Sequence, residues 1–282
     1  MDGGDAHLPR REPPGVSRRA LLRLGFAPRA RPDVDFDGVT ERVRAGWETG
    51  ASEPFLRALE PVAAAAADLA DVMAGERVLD AGAGDGNVAL ACLLRGAEVD
   101  ACDIADAMVE RGRLRCGARW RQGDVQALPY AAGEFDLVIS TFGAALAPRG
   151  RRTARELVRV LRPGGRLVLA AWTARGLPGQ LDEHVELPEG VLAPSAWADE
   201  GTARRRFEPD LEWLERRIET VALAFPTPQA MFDAFTLPLG LDEERRIALR
   251  PAFDRLLAAQ SNSPPAAEID ARYALYTGRR PG

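Results

Sequence analysis

Residues Glu76–Asn87, E-R-V-L-D-A-G-A-G-D-G-N, carry a short apolar strand into an aspartate and then into three glycines at alternate positions. Gly82, Gly84 and Gly86 permit a tight turn and a close backbone approach to a ligand at the start of the following helix. A dinucleotide site needs its third glycine one residue later, in G-x-G-x-x-G, so that a pyrophosphate can sit on the helix N-terminus. That spacing is not met here. Asp80 and Asp85 also flank the turn, where two carboxylates repel a pyrophosphate but suit a ligand carrying an ammonium and a sulfonium. The stretch therefore implies S-adenosyl-L-methionine rather than a dinucleotide.

Composition removes other chemistries. The 282 residues are 46% hydrophobic and 28% charged, which is ordinary for a globular chain that buries one large core. All 37 basic residues are arginine, so Schiff-base and pyridoxal chemistry and a Gly-Lys phosphate loop are excluded. His7 and His184 are the only histidines. Cys92, Cys102 and Cys116 match no zinc spacing, so no protein-built metal site is expected and the thiols read as small packing residues of a reducing compartment. A net charge of −5, with no basic stripe interleaved with aromatics, argues against nucleic acid as a partner. No run approaches the roughly 20 apolar residues of a membrane span.

The first thirty-one residues hold seven arginines, three acids and four prolines without an apolar period, and residues 1–32 read as a disordered basic tail. Within them Ser17 to Arg23 resembles a twin-arginine export motif. The required apolar segment does not follow, since Arg29, Arg31, Asp33, Asp35 and Asp37 come next, and a cytoplasmic location is expected. Thr40 to Trp47, Pro54 to Leu59 and Pro61 to Met73 then read as helices, with Pro54 and Pro61 placed for first turns, and residues 33–74 are expected to cap the site.

From Arg77 strand and helix patterns alternate at the spacing of βα units, which implies a Rossmann-like, mostly parallel sheet with helices on both faces. Strands are expected at Arg77–Ala81, Glu98–Cys102, Ala118–Gln122, Phe135–Ser140 and Arg166–Trp172. Helices fall near Asn87–Arg95, Asp106–Arg115 and Arg152–Leu161, the last stopped by Arg162-Pro163-Gly164-Gly165. Glu215–Phe225 and Asp270–Gly278 alternate as an antiparallel pair, which completes a seven-stranded α/β sheet with an antiparallel last strand. Residues 176–210, rich in glycine, proline and acids and without period, read as a lid inserted before the sixth strand.

Ligands on such sheets bind beyond the carboxyl ends of the strands, so the residues just past each strand are the candidates. Asp103 ends the second strand, 21 positions after Gly82, where an acid can accept from ribose hydroxyls. Asp124 follows the third strand and suits an exocyclic adenine amine. Ser140 and Thr141 end the fourth, over the position of a reacting methyl group. Taken alone, Asp103 or Asp124 would equally serve as a helix cap or turn residue.

Five stretches carry a resemblance: V-L-D-A-G-A-G-D-G-N, V-D-A-C-D-I-A-D-A-M, Q-G-D-V-Q-A-L-P-Y, F-D-L-V-I-S and E-L-V-R-V-L-R-P-G-G-R-L-V-L-A-A-W. In this order, between about Asp33 and Gly176, they resemble a class I S-adenosylmethionine-dependent methyltransferase of the ubiquinone-biosynthesis type. The resemblance implies that Asp80, Gly82, Gly84 and Gly86 hold the methionine portion of the cofactor and Asp103 its ribose. Ile104 and Met108 would take the adenine face, and Asp124 and Val125 its edge. The family usually has threonine or serine where this chain has Asp85.

The function implied is methyl transfer by direct displacement to a small organic acceptor, on oxygen, nitrogen or carbon. The alternatives are a cyclisation or decarboxylation that uses the bound cofactor without methylating, and a non-catalytic binding protein. The substrate end is expected to lie under the lid, with Trp172, Trp197 and Leu192 as apolar contacts. His184, in Gln180-Leu181-Asp182-Glu183-His184, is the one imidazole that could serve as a base, and a solvated surface group is the simpler reading of it.

Overall fold

The computed structural model describes residues 34–49, 53–187, 190–261 and 267–282, so the expected tail of residues 1–32 lies outside the described residues. Three helices come first: α1 Phe36–Glu48, α2 Glu53–Ala58 and α3 Glu60–Leu69. The βα series follows as β1 Arg77–Ala81, α4 Asn87–Leu93, β2 Glu98–Asp103, α5 Asp106–Arg115, β3 Arg119–Gln122, β4 Phe135–Thr141, α6 Gly150–Val160 and β5 Leu161–Trp172. The remainder is α7 Leu177–Leu181, α8 Glu200–Phe207, β6 Glu212–Phe225, α9 Pro228–Thr236, α10 Glu243–Gln260 and β7 Ala267–Arg279.

The seven strands form one sheet in the order β3-β2-β1-β4-β5-β7-β6. The first five are parallel, and β7 runs antiparallel to both β5 and β6. This is the expected Rossmann-like architecture. Strand β1 reads as an apolar run rather than an alternation because helices cover both faces, and Val78, Leu79, Asp80 and Ala81 are all buried. The order reverses between β1 and β4, whose carboxyl ends therefore diverge around a crevice. Asp35, Asp199, Thr227 and Asp242 cap their helices by accepting a backbone N–H three residues on.

Two details depart from expectation. Strand β5 begins at Leu161, directly after α6: Leu161 pairs with Phe135 and Arg166 with Leu137, so Arg162 to Gly165 loop out between two paired positions, with Gly164 at φ 76°. The proline and glycines thus make an irregularity inside a strand instead of a loop before it. The stretch after β5 is also less irregular than its composition implies, since it contains α7, α8 and 3₁₀ turns at Asp182–His184 and Pro194–Ala198. Short helices of this kind leave no period that a sequence window can catch.

One buried ion pair ties the base of the sheet together. Arg166 on β5 donates to both carboxylate oxygens of Glu76 at 2.8 Å and to the Ala70 carbonyl at 3.1 Å, and both charged side chains are largely shielded from solvent. Among the described residues, no helix is long and apolar enough to cross a membrane.

Candidate active site

The loop after β1 turns through Gly82, Gly84 and Gly86, all at positive φ. Its backbone is held from beneath, because the Gly82 and Ala83 N–H groups donate to the Cys102 carbonyl at the end of β2 at 2.8 and 3.0 Å. A Cβ on Gly82 would lie 2.9 Å from Gly143 Cα, so the loops after β1 and β4 pack backbone against backbone. Gly86 serves a different purpose. It precedes α4 and, with Gly112, forms the notch that accepts the Trp120 ring, where added Cβ atoms would lie 2.8 and 2.1 Å from the ring.

These loops open into a cleft at the carboxyl edge of the sheet, of about 1340 Å³ counted to its mouth. Of the predicted residues, Gly82, Gly84, Asp103, Ile104, Asp124 and Val125 line the cleft together, and so does Thr141. Asp80, Gly86, Met108 and Ser140 do not line it and sit in the layer behind. Asp80 accepts the Ala89 N–H at 2.9 Å and so fixes the start of α4. Met108 is fully buried and packs beside Leu56 and Ala105. Ser140 Oγ donates to the Ala81 carbonyl at 2.6 Å and accepts the Ala144 N–H at 3.1 Å, which clamps β1 to the loop after β4.

The acids differ in what they have left to offer. Asp103 accepts the Gly84 N–H at 2.8 Å and the Ala105 N–H at 3.0 Å. Burial pushes its carboxyl up to about 6 against the pull of these N–H groups, and burial pushes the deeper Asp80 up to about 8. Asp85 is paired with Arg115 at 2.7 Å, and Arg115 also reaches Glu60 at 2.6 Å. The charge that the sequence places beside the loop at Asp85 is thus matched locally by an arginine. Asp124 accepts from the Gln126 side-chain amide at 3.0 and 3.2 Å and from its backbone N–H at 2.8 Å.

Several residues at the site escaped the sequence reading. Gln126 is buried and joins Asp124 to Thr40 Oγ1 at 3.1 Å and to the Arg149 N–H at 3.0 Å. Asn87 lines the cleft, donates to the Leu56 carbonyl at 2.7 Å, and leaves Oδ1 buried without a partner among the described residues. Phe142, straight after β4, holds φ 67°, a conformation that a bulky residue adopts only at a cost of about 1–3 kcal/mol. Its ring stacks on Trp172 with centroids 4.0 Å apart. Nothing local in T-F-G marks Phe142 for this role, and only Gly143 hinted at a special turn.

The roof comes from both flanks. Thr40, Val43 and Trp47 of α1 line the cleft, as do Pro178, Asp182 and Pro194 of the segment after β5. Glu48 at the end of α1 accepts the Asp106 and Ala107 N–H groups at 2.9 and 3.0 Å, which holds α1 against the start of α5. Of the expected substrate contacts, Trp172 lines the cleft. Trp197 is buried elsewhere, edge-on to Phe207 at 6.0 Å and stacked by Arg206, while Leu192 is 52% exposed. His184 is exposed and outside the cleft. Among the described residues, no cluster of His, Cys, Asp or Glu could hold a metal ion.

Residues 79–169 match the family model described as a methyltransferase domain. The chain is 38% identical over 152 residues to an uncharacterised protein of Mycobacterium tuberculosis, covering 50% of this chain and 56% of that one. It is 36% identical over 104 residues to the ubiquinone/menaquinone biosynthesis C-methyltransferase UbiE of Cereibacter sphaeroides, covering 34% of this chain and 42% of that one. The chain spans about half the length of the curated relatives it matches. Among solved structures, the [4+2]-cyclase SpnF superposes with a TM-score of 0.55 at 16% identity, covering 87% of this chain and 93% of that one, a likeness of fold.

Proposed function

We propose that this chain, whose residues 79–169 match the model of a methyltransferase domain, is an S-adenosylmethionine-dependent methyltransferase acting on a small organic molecule. One observation carries the reading: the ends of β1, β2, β3 and β4 bring Gly82 and Gly84, Asp103, Asp124 and Thr141 to a single cleft at the switch point of the sheet. Residues 33–282 act as one unit in this reading, with residues 33–74 and the lid of residues 176–210 closing the cleft from either side.

The residues present fit the cofactor. Gly84 leaves backbone space for its methionine portion, Gly82 lets the loop close on Gly143, and Asn87 Oδ1 is a buried acceptor that an ammonium would satisfy. Asp103 offers its carboxylate to ribose hydroxyls, with Ile104 beside it for the adenine, and Asp124 and Val125 hold the adenine edge. Asp80, Gly86, Met108 and Ser140 support the site from behind. When bound, S-adenosylmethionine supplies an activated methyl group on a good leaving group. The chain then has to orient an acceptor, which can be worth about 7–11 kcal/mol, and to exclude water. The roof from α1 and the lid serves the second task.

The test is incubation with methyl-labelled donor and candidate acceptors. Label in the product supports methyl transfer, whereas turnover without label would replace this reading by the cyclisation or decarboxylation alternative. Affinity for S-adenosylhomocysteine without any turnover would identify a binding protein.

A pH dependence follows from Asp103. Its ionised form accepts hydroxyl protons and its protonated form loses an acceptor, so donor affinity should fall as pH drops through about 6. Calorimetry with S-adenosylhomocysteine should show this loss, and Asp103→Asn should bind about 1–3 kcal/mol more weakly with the dependence flattened. An unchanged pH profile in Asp103→Asn would take Asp103 out of the donor site.

A further inference from the structure

The cleft has a second chemistry beside that of the glycine loop. Its walls are aromatic: Phe142 lies flat on Trp172, Phe235 meets Trp172 edge-on at 6.3 Å and an interplanar angle of 87°, and Phe55 meets Phe235 at 5.7 Å and 78°. All four rings line the cavity. Among the described residues of its lining there is no arginine and no histidine, and the chain has no lysine, so every formal charge facing the cavity belongs to an aspartate. Three of these, Asp85, Asp103 and Asp124, lie with the glycine loop and the ends of β2 and β3.

The fourth is Asp182, which enters from the lid at the end of α7. Its Oδ2 accepts the Ser195 N–H at 2.8 Å and the Ser195 hydroxyl also donates to the carboxylate, bonds that tie the two short lid turns together. No cation pairs with it among the described residues, and burial holds its carboxyl above the ordinary range. A half-buried carboxylate that lines an aromatic-walled cavity without a counter-ion keeps lone pairs free for a ligand's hydrogen-bond donor or positive charge. Aromatic faces favour the same kinds of ligand, because a ring quadrupole attracts a cation and stacks on another ring.

We infer that the acceptor is a largely apolar, ring-bearing molecule with a hydroxyl or amine read by Asp182, and that anionic acceptors such as carboxylates and phosphates are rejected. The inference rests on the methyl-transfer reading of the cleft, since it names what that site accepts. Asp182 is here a specificity-determining residue. An N–H or O–H on the ligand donates to its carboxylate, while a ligand carboxylate would face it, and the acids beyond, with nothing to neutralise the repulsion.

The experiment uses the whole chain without donor and four naphthalene probes by calorimetry: 2-naphthol, 2-(aminomethyl)naphthalene, 2-naphthoate and 2-methylnaphthalene. The hydroxyl and ammonium probes should bind about tenfold or more tighter than the other two, the range expected for a hydrogen bond to a charged acceptor. Asp182→Asn keeps an oxygen for the Ser195 N–H and removes the charge. It should erase the preference for the ammonium probe and reduce the penalty on naphthoate. Naphthoate binding within about threefold of naphthol, no binding by any probe, or an unchanged ranking in a folded Asp182→Asn would each overturn the inference. Should Asp182→Asn fail to fold, the wild-type ranking decides alone. S-adenosylhomocysteine is titrated in parallel: its binding beside a flat probe ranking sinks only this inference, while its failure to bind sinks the proposed function and leaves the ranking as a separate result.

Discussion

Gly82→Ala should abolish measurable donor binding while leaving the chain folded. The residue holds φ 71°, where an alanine costs about 1–2 kcal/mol, and its Cβ would sit 2.9 Å from the Gly143 backbone, so one of the two loops must move. That displacement reaches the Cys102 carbonyl anchor beneath the loop and the Phe142–Gly143 turn beside it. Affinity for S-adenosylhomocysteine should fall by at least about 100-fold, or 2.7 kcal/mol. Gly75→Ala is the matched control. It holds φ 80° with nothing within 4 Å of the added carbon, and it precedes β1 at the opposite end of the strand. It should lower the melting temperature by a few degrees through backbone strain alone and leave donor affinity intact. If Gly82→Ala binds donor within about threefold of wild type, the loop is not where the donor sits.

The largest stability effect is expected at the base of the sheet. Arg166→Met keeps the aliphatic stem and removes the partner of Glu76, leaving a buried carboxylate with only the Met73 N–H at 2.9 Å. Breaking a buried pair from one side costs about 3–5 kcal/mol, which for a chain of this size lowers the melting temperature by about 10 °C. Adding Glu76→Gln should recover a large part of that loss, because the penalty lies in the stranded charge rather than in the missing attraction. A single variant melting within about 2 °C of wild type would show that solvent reaches Glu76 freely.

The sheet was legible because its signals are local. Arg77–Ala81 and Asp106–Arg115 appear where the pattern placed them, and the other predicted strands differ by a few residues at their ends. Six of the predicted site residues meet in the cleft because residues that follow parallel strands are gathered at one edge by the topology itself. Gly86 and Ser140 belong to the same motifs, but which face they present depends on Trp120 and on the Ala81 carbonyl, neither adjacent in sequence. Asp182 lies in none of the matching stretches, and Gln126 lies inside Q-G-D-V-Q-A-L-P-Y with nothing there to mark its role. Each matters through partners tens of residues away, or through the lack of a cation, and no window along the chain encodes that. Trp172 and Trp197 look alike in sequence, yet one faces the cleft and the other packs beneath Arg206.

The ion pairs described above, Arg166 with Glu76 and Arg115 with Asp85 and Glu60, share one cation type with every other pair among the described residues. A guanidinium keeps its proton far beyond the range in which an ammonium surrenders it. The electrostatic scaffold of this fold is therefore set against alkali. Raising the pH leaves the positive half of each bridge charged, and alkaline unfolding of the described body has to begin at its buried phenols and thiols.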